Sequence, residues 1–135
     1  MTALELARTF WEKATIPHAE HHRPADQATP DRYARHCADM ERLLRHPDSA
    51  AMLEDHVLCK RVVEWKSRVF ARRWARYDLA MPGTFRLLPT DQRLAALARD
   101  YAQMRAMLIA APPGFEVVMA RLAEAERTLN GSSDS

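Results

Sequence analysis

The chain has 135 residues, enough for one domain with a single hydrophobic core, and it contains only 3 Gly against 8 Pro with Ala, Leu and Arg predominant. So few tight-turn residues and β-branched or aromatic strand formers exclude a β-sandwich or barrel and argue against an α/β fold, leaving an all-α expectation of five or six helices. Net charge is only +2, but Lys60 to Arg76 carries seven basic residues against Glu64, so the rest of the chain is net acidic.

In chain order, Thr2 with Glu5 has the form of a capping box, and Leu6, Phe10 and Ala14 give a helical period that runs to about His22. Pro17 interrupts that helix, removes one amide hydrogen and crowds the Lys13 carbonyl, so a bend is expected beside Lys13. Arg23 to Thr29 is aperiodic and reads as a loop. Thr29 followed by Pro30 has the form of an N-cap and first turn, after which Tyr33, Cys37, Met40 and Leu44 repeat until His46-Pro47. A short helix from Ala50 to Glu54 precedes a longer one from about His56, whose stripe of Leu58, Val62, Trp65 and Val69 is expected to face the core. Ala80 to Thr90 is an extended connector, and Thr90 is expected to cap a helix bearing Leu94, Leu97, Tyr101, Met104 and Leu108. Across the Ala-Pro-Pro-Gly turn, Phe115, Val118, Leu122, Ala125 and Leu129 repeat the same intervals, so the two last helices are expected to form an antiparallel hairpin ended by Asn130-Gly131. A single domain over 1–131 and a disordered tail over 132–135 follow from this reading.

No apolar run approaches the ~18 residues of a membrane span, so no membrane partner is expected and a cytoplasmic location is. Cys37 and Cys59 have neither metal nor redox spacing and read as reduced packing residues. His18, His21 and His22 lack a sequence-linked third ligand, so they read as solvated histidines at a polar helix end and no metal site is expected. Two cationic features remain. On a continuous helix Lys66, Phe70 and Arg73 would share a face, with Arg68, Arg72 and Arg76 widening it and Trp74 and Tyr77 available for stacking; this is either a phosphate-binding stripe or a solvated face. Arg35 and Asp39, four apart, are either a surface ion pair or, with Lys13 at the bend, a group facing an anionic ligand.

The strings RTFWEKAT from Arg8 to Thr15, HAEHHRP, the R-x-x-R-H-x-x-D pattern of Arg32, Arg35, His36 and Asp39, WKSRVF, WARYDLAMPGTFRLLP and DYAQMRAML resemble, in the same order from about Arg8 to Leu108, the C-terminal half of the AbiEii/AbiGii nucleotidyltransferase toxins of abortive infection. The resemblance implies a helical half that supplies Lys13 for nucleotide phosphates and Asp39 as an orienting carboxylate, with Lys66 and Phe70 facing the same cleft; Arg35 of the Arg/Asp pair and Arg73 of the stripe are further phosphate-binding candidates on their own chemistry. It also implies Mg²⁺ and NTP as cofactors of the intact family, an RNA acceptor, and a separately encoded antitoxin. No D-x-D spacing on a strand is present, so the expectation is a truncated or split form that is inactive alone, to be completed by a catalytic half or by self-association, with no cofactor of its own. The rival expectations are a small nucleic-acid-binding or adaptor bundle using the 60–76 stripe, and a remnant without activity.

Overall fold

The computed structural model describes residues 2–30, 32–70 and 72–131. Their regular structure is wholly helical: α1 (Ala3–His21), α2 (Tyr33–Leu44), α3 (Ser49–Glu54), α4 (His56–Val69), two 3-10 turns (Arg73–Ala75 and Tyr77–Leu79), α5 (Asp91–Ala106) and α6 (Phe115–Asn130). No described residue lies in a strand, and no described helix is long and apolar enough to cross a membrane. The tail at 132–135 lies outside the described residues.

The first helix starts where the sequence says it should. Thr2 Oγ1 accepts from the Glu5 amide at 3.1 Å while the Thr2 amide donates to Glu5 Oε1 at 3.0 Å, satisfying two donors that a helix start leaves open. Phe10, Trp11 and Ala14 are wholly buried, and α1 packs on α2, α3 and α4. On its other side α2 carries α5 and α6, so Cys37, Met40 and Leu44 join a core that includes Tyr101, Val118, Leu122 and Leu129. Both cysteines are free and buried, and burial pushes their thiols up to about 12, which keeps them protonated packing groups.

Several boundaries differ from the periodicity. Helix α2 begins at Tyr33 with Arg32 at its N-cap and no side-chain cap. Thr29 serves elsewhere: its hydroxyl accepts from Arg93 of α5 at 2.8 Å, and the same guanidinium donates to the Pro24 and Gln27 carbonyls, so a cation from a distant helix satisfies the aperiodic loop. Thr90 occupies the N-cap of α5 but makes no side-chain capping bond. Helix α5 stops at Ala106, before Leu108, and positions 107–114 form the connection to α6. Tyr101 and Arg105 of α5 hold that connection by donating to the Pro113 and Pro112 carbonyls, each at 2.6 Å.

The connector from 80 to 90 opens with a turn over 81–84, closed by the Thr84 amide on the Met81 carbonyl, and then runs between α1 and α6. Phe85 and Leu87 are fully buried, and side chains take the place of a neighbouring strand. Asn130 Oδ1 accepts from the Gly83 and Phe85 amides, Asn130 Nδ2 donates to the Phe85 carbonyl, and Glu126 accepts from the Leu87 amide. From the opposite side His18 Nδ1 accepts from the Arg86 amide at 3.1 Å and His21 donates to the Leu88 carbonyl at 2.9 Å. This alternation reproduces the two-sided bonding of a central strand.

The histidines are therefore structural rather than solvated. His18 is fully buried; its Nε2 donates to the Arg76 carbonyl at 2.8 Å, which fixes the neutral tautomer that leaves Nδ1 free to accept from Arg86. Burial lowers its pKa to about 4.

Candidate phosphate-binding site

Pro17 has no amide hydrogen, so the Lys13 carbonyl one turn back lacks its helical donor. His36 of α2 supplies one instead, its Nε2 donating to that carbonyl at 2.8 Å, with its ring stacked on Tyr33 at 6.1 Å between centroids. The bond requires the proton on Nε2. Burial, opposed by this hydrogen bond and reinforced by Lys13, lowers the His36 pKa to about 4, so the ring is neutral. One imidazole thus pins the proline-interrupted turn of α1 to the middle of α2.

Beside that pin Lys13 and Asp39 form a charged pair, and both, with Lys66 of α4, act on the His36 ring electrostatically. Lys13 Nζ stands 3.9 Å from Asp39 Oδ2, both side chains about a third exposed. Asp39 Oδ1 accepts from Arg42 at 3.1 Å. The expected Arg35–Asp39 pair is not formed; Arg35 is exposed and shares only the lining of a groove with Asp39, because Arg42 and Lys13 occupy the carboxylate. Lys66, in the last turn of α4, lies with its Nζ 5.2 Å from the Phe70 ring centroid; burial lowers its pKa and Glu12 opposes that shift.

The basic stripe does not form one helical face. Helix α4 ends at Val69, and Phe70 leaves helical geometry at φ −117° and ψ 65°, which separates Lys66 from Arg73. Arg73 is exposed in the first 3-10 turn, and Arg76, left-handed at φ 49°, pairs with Asp78 through two 3.0 Å bonds. Trp74 is not free for stacking, since the Arg23 and Arg72 guanidiniums lie 4.8 and 5.6 Å from its ring centroid. The outer half of the α4 stripe also departs from expectation: Trp65 and Val69 are 48% and 53% exposed, because only Leu58, Cys59 and Val62 reach the core. Together with Ile16 and Phe70 they leave apolar surface on the elements that carry Lys13 and Lys66.

Sequence reasoning named Lys13, Asp39 and Lys66 but not His36, which pins the Lys13 turn of α1 to α2 beside Asp39. The available signal was a proline four positions after the lysine, which announces an unpaired carbonyl, and a histidine on the following helix able to donate to it. Among the described residues no group of three His, Cys, Asp or Glu could hold a metal ion, so these residues do not fit a two-metal centre.

No curated protein and no solved structure matches the chain. The family model described as nucleotidyl transferase AbiEii toxin, type IV TA system, matches residues 1–121, a span that includes α1 to α5, the Lys13–His36–Asp39 group and Lys66. With most of its length covered, the chain belongs to the AbiEii nucleotidyl transferase toxin family of type IV toxin–antitoxin systems.

Proposed function

We propose that these residues are the phosphate-holding helical half of an AbiEii-type nucleotidyltransferase, C-terminal to the catalytic sheet of the intact enzyme. The observation that carries the reading is the Lys13–Asp39 pair held beside the His36 pin, with Lys66 in the last turn of the neighbouring α4. Two ammonium groups suit the negative charge of a nucleotide triphosphate, and Asp39, 3.9 Å from Lys13, holds that lysine when no nucleotide is bound and orients it when one is. Lys66 is partly stripped of water, which strengthens its attraction for an incoming phosphate. Arg73 stands apart from this group on its own turn, and Arg35 belongs to the adjoining groove.

The carboxylates that would hold Mg²⁺ come from polypeptide other than these residues, and the apolar surface of Trp65, Val69 and Phe70 beside Lys66 is where that half would sit. The chain by itself is then a nucleotide-binding protein without transferase activity. Membership of a type IV system implies an antitoxin as the functional counterpart.

The test is titration of the purified chain with each NTP in the presence of Mg²⁺, followed by calorimetry. At least one NTP should bind, and Lys13→Ala or Lys66→Ala should weaken it about tenfold or more while the melting temperature stays within a few degrees. Binding that is absent, or that ignores both replacements, removes the reading. Incorporation of label into RNA by the repurified chain would overturn the assignment of the carboxylates to another polypeptide.

A further inference from the structure

A further cavity lies away from the basic stripe. It is a groove of about 660 Å³ between α2 and the 107–114 connection, and four arginines line it: Arg35 and Arg42 from α2, Arg45 just past its end, and Arg105 from α5. The carboxylates around it are spoken for. Asp39 takes Arg42 and Lys13, and buried Glu41 takes Arg45 at 3.0 Å and Arg121 at 3.1 Å. Arg105 spends one nitrogen on the Pro112 carbonyl, and neither it nor Arg35 has a carboxylate partner among the described residues. The floor between them is apolar, built from Ala38, Met104, Leu108 and the prolines of the connection, with no aromatic ring.

We infer that this groove binds the phosphodiester backbone of a single-stranded nucleic acid. Arg35 and Arg42 are two turns apart on α2, about 10.5 Å along its axis, with Arg105 on the facing wall; the cationic positions are distributed along a track instead of gathered at a point. Planar guanidiniums with unused N–H groups suit successive phosphates, and an apolar floor without aromatics accepts sugar and base surface without selecting a sequence. Asp39 lies between Arg35 and Arg42 on α2 and touches Lys13, so a strand lying in the track passes beside the proposed nucleotide phosphates. Only this last placement rests on the nucleotide-binding reading; the strand site itself stands on the groove.

The experiment is fluorescence anisotropy with a labelled single-stranded RNA of about a dozen nucleotides, titrated at several salt concentrations, using the whole chain. Wild type should bind at low salt and weaken by about 0.7 log units per log unit of salt for each phosphate neutralised. Arg35→Gln with Arg42→Gln, both exposed and replaceable without disturbing the core, should reduce that slope by about 1.4. Removing the same charge from the stripe, Arg68→Gln with Arg73→Gln, should leave the slope unchanged. No binding at low salt, a slope indifferent to the groove pair, or a slope lost with the stripe pair each overturns the proposal. So does full displacement of the RNA by ATP with the same arginine dependence, which would make the groove a mononucleotide site. Lys13→Ala with Lys66→Ala, measured in parallel, should weaken ATP and spare the RNA slope; loss of only one of the two ligands identifies which site has failed.

Discussion

At the scale of residues, the site depends on a helix defect and its repair. Pro17 withholds a donor from Lys13, and an unpaired buried carbonyl costs about 1–3 kcal/mol, so the His36 bond at 2.8 Å both removes that cost and sets the distance between α1 and α2. The two residues should therefore be energetically coupled. Pro17→Ala restores an amide hydrogen at position 17, after which the Lys13 carbonyl can be satisfied within its own helix. In a double-mutant cycle by urea unfolding, His36→Ala should destabilise the wild type by about 2–3 kcal/mol and the Pro17→Ala background by at least 1 kcal/mol less. Additive effects would mean that His36 contributes only packing against Tyr33. Because the same ring lies among Lys13, Lys66 and Asp39, nucleotide affinity should follow the same pattern of loss and recovery.

Among the elements, α2 is central, bonded to α1 through His36 and to α6 through a carboxylate. Glu41 is fully buried, with Arg45 on one oxygen and Arg121 on the other, yet both guanidiniums extend to solvent at 50% and 36% side-chain exposure. This asymmetry makes the cost of disruption depend on which partner goes. Glu41→Met leaves two arginines that can hydrate and should cost about 1 kcal/mol or less, whereas Arg45→Ala with Arg121→Ala strands a buried charge and should cost about 3–5 kcal/mol by denaturant titration. Equal losses would show that the pair matters as packing and not as compensation for a buried charge. The periodicities of α1 and α6 were legible in the sequence because each buries one stripe in a common core; that of α5 holds at Leu97 and Tyr101, while Leu94 is exposed and Leu108 lies beyond the helix. That of α4 was legible only in its first two turns: nothing local to Trp65 and Val69 records that they fall outside the packed face. The connector was legible as extended but not as buried, since what permits its burial is Asn130, Glu126, His18 and His21, contributed from far along the chain. Lys13, Lys66 and Asp39 were reached through a family resemblance; the four-arginine groove was not, because its members are spread over α2 and α5 and no single helix shows the cluster.

For the whole molecule, two neutral imidazoles act as clasps, and their joint protonation should set its acid limit. His18 closes α1 onto the connector and the second 3-10 turn, and His36 closes α1 onto α2; both fall from the ordinary 6.5 to about 4, chiefly through burial. His21, His22 and Arg86 around His18, and Lys13 and Lys66 around His36, add to the lowering, while the hydrogen bonds each ring donates and the nearby Asp39 oppose it. Between these values the unfolded chain binds more protons than the folded one, so stability is fully present above pH 6.5 and declines as pH falls toward 4. At pH 5 each group should have withdrawn about 2 kcal/mol, and the melting temperature should lie about 10 °C or more below its value at pH 7.5. The loss should be steeper than protonation alone suggests at His18, since a charged ring has no acceptor for the Arg86 amide and the connector loses one side of its bonding. Replacing both histidines with glutamine lowers stability at every pH but should flatten its dependence between pH 4 and 7, measured as the slope of unfolding free energy. An unchanged slope in that variant would place the acid sensitivity elsewhere and would deny the imidazoles their role as the clasps of the fold.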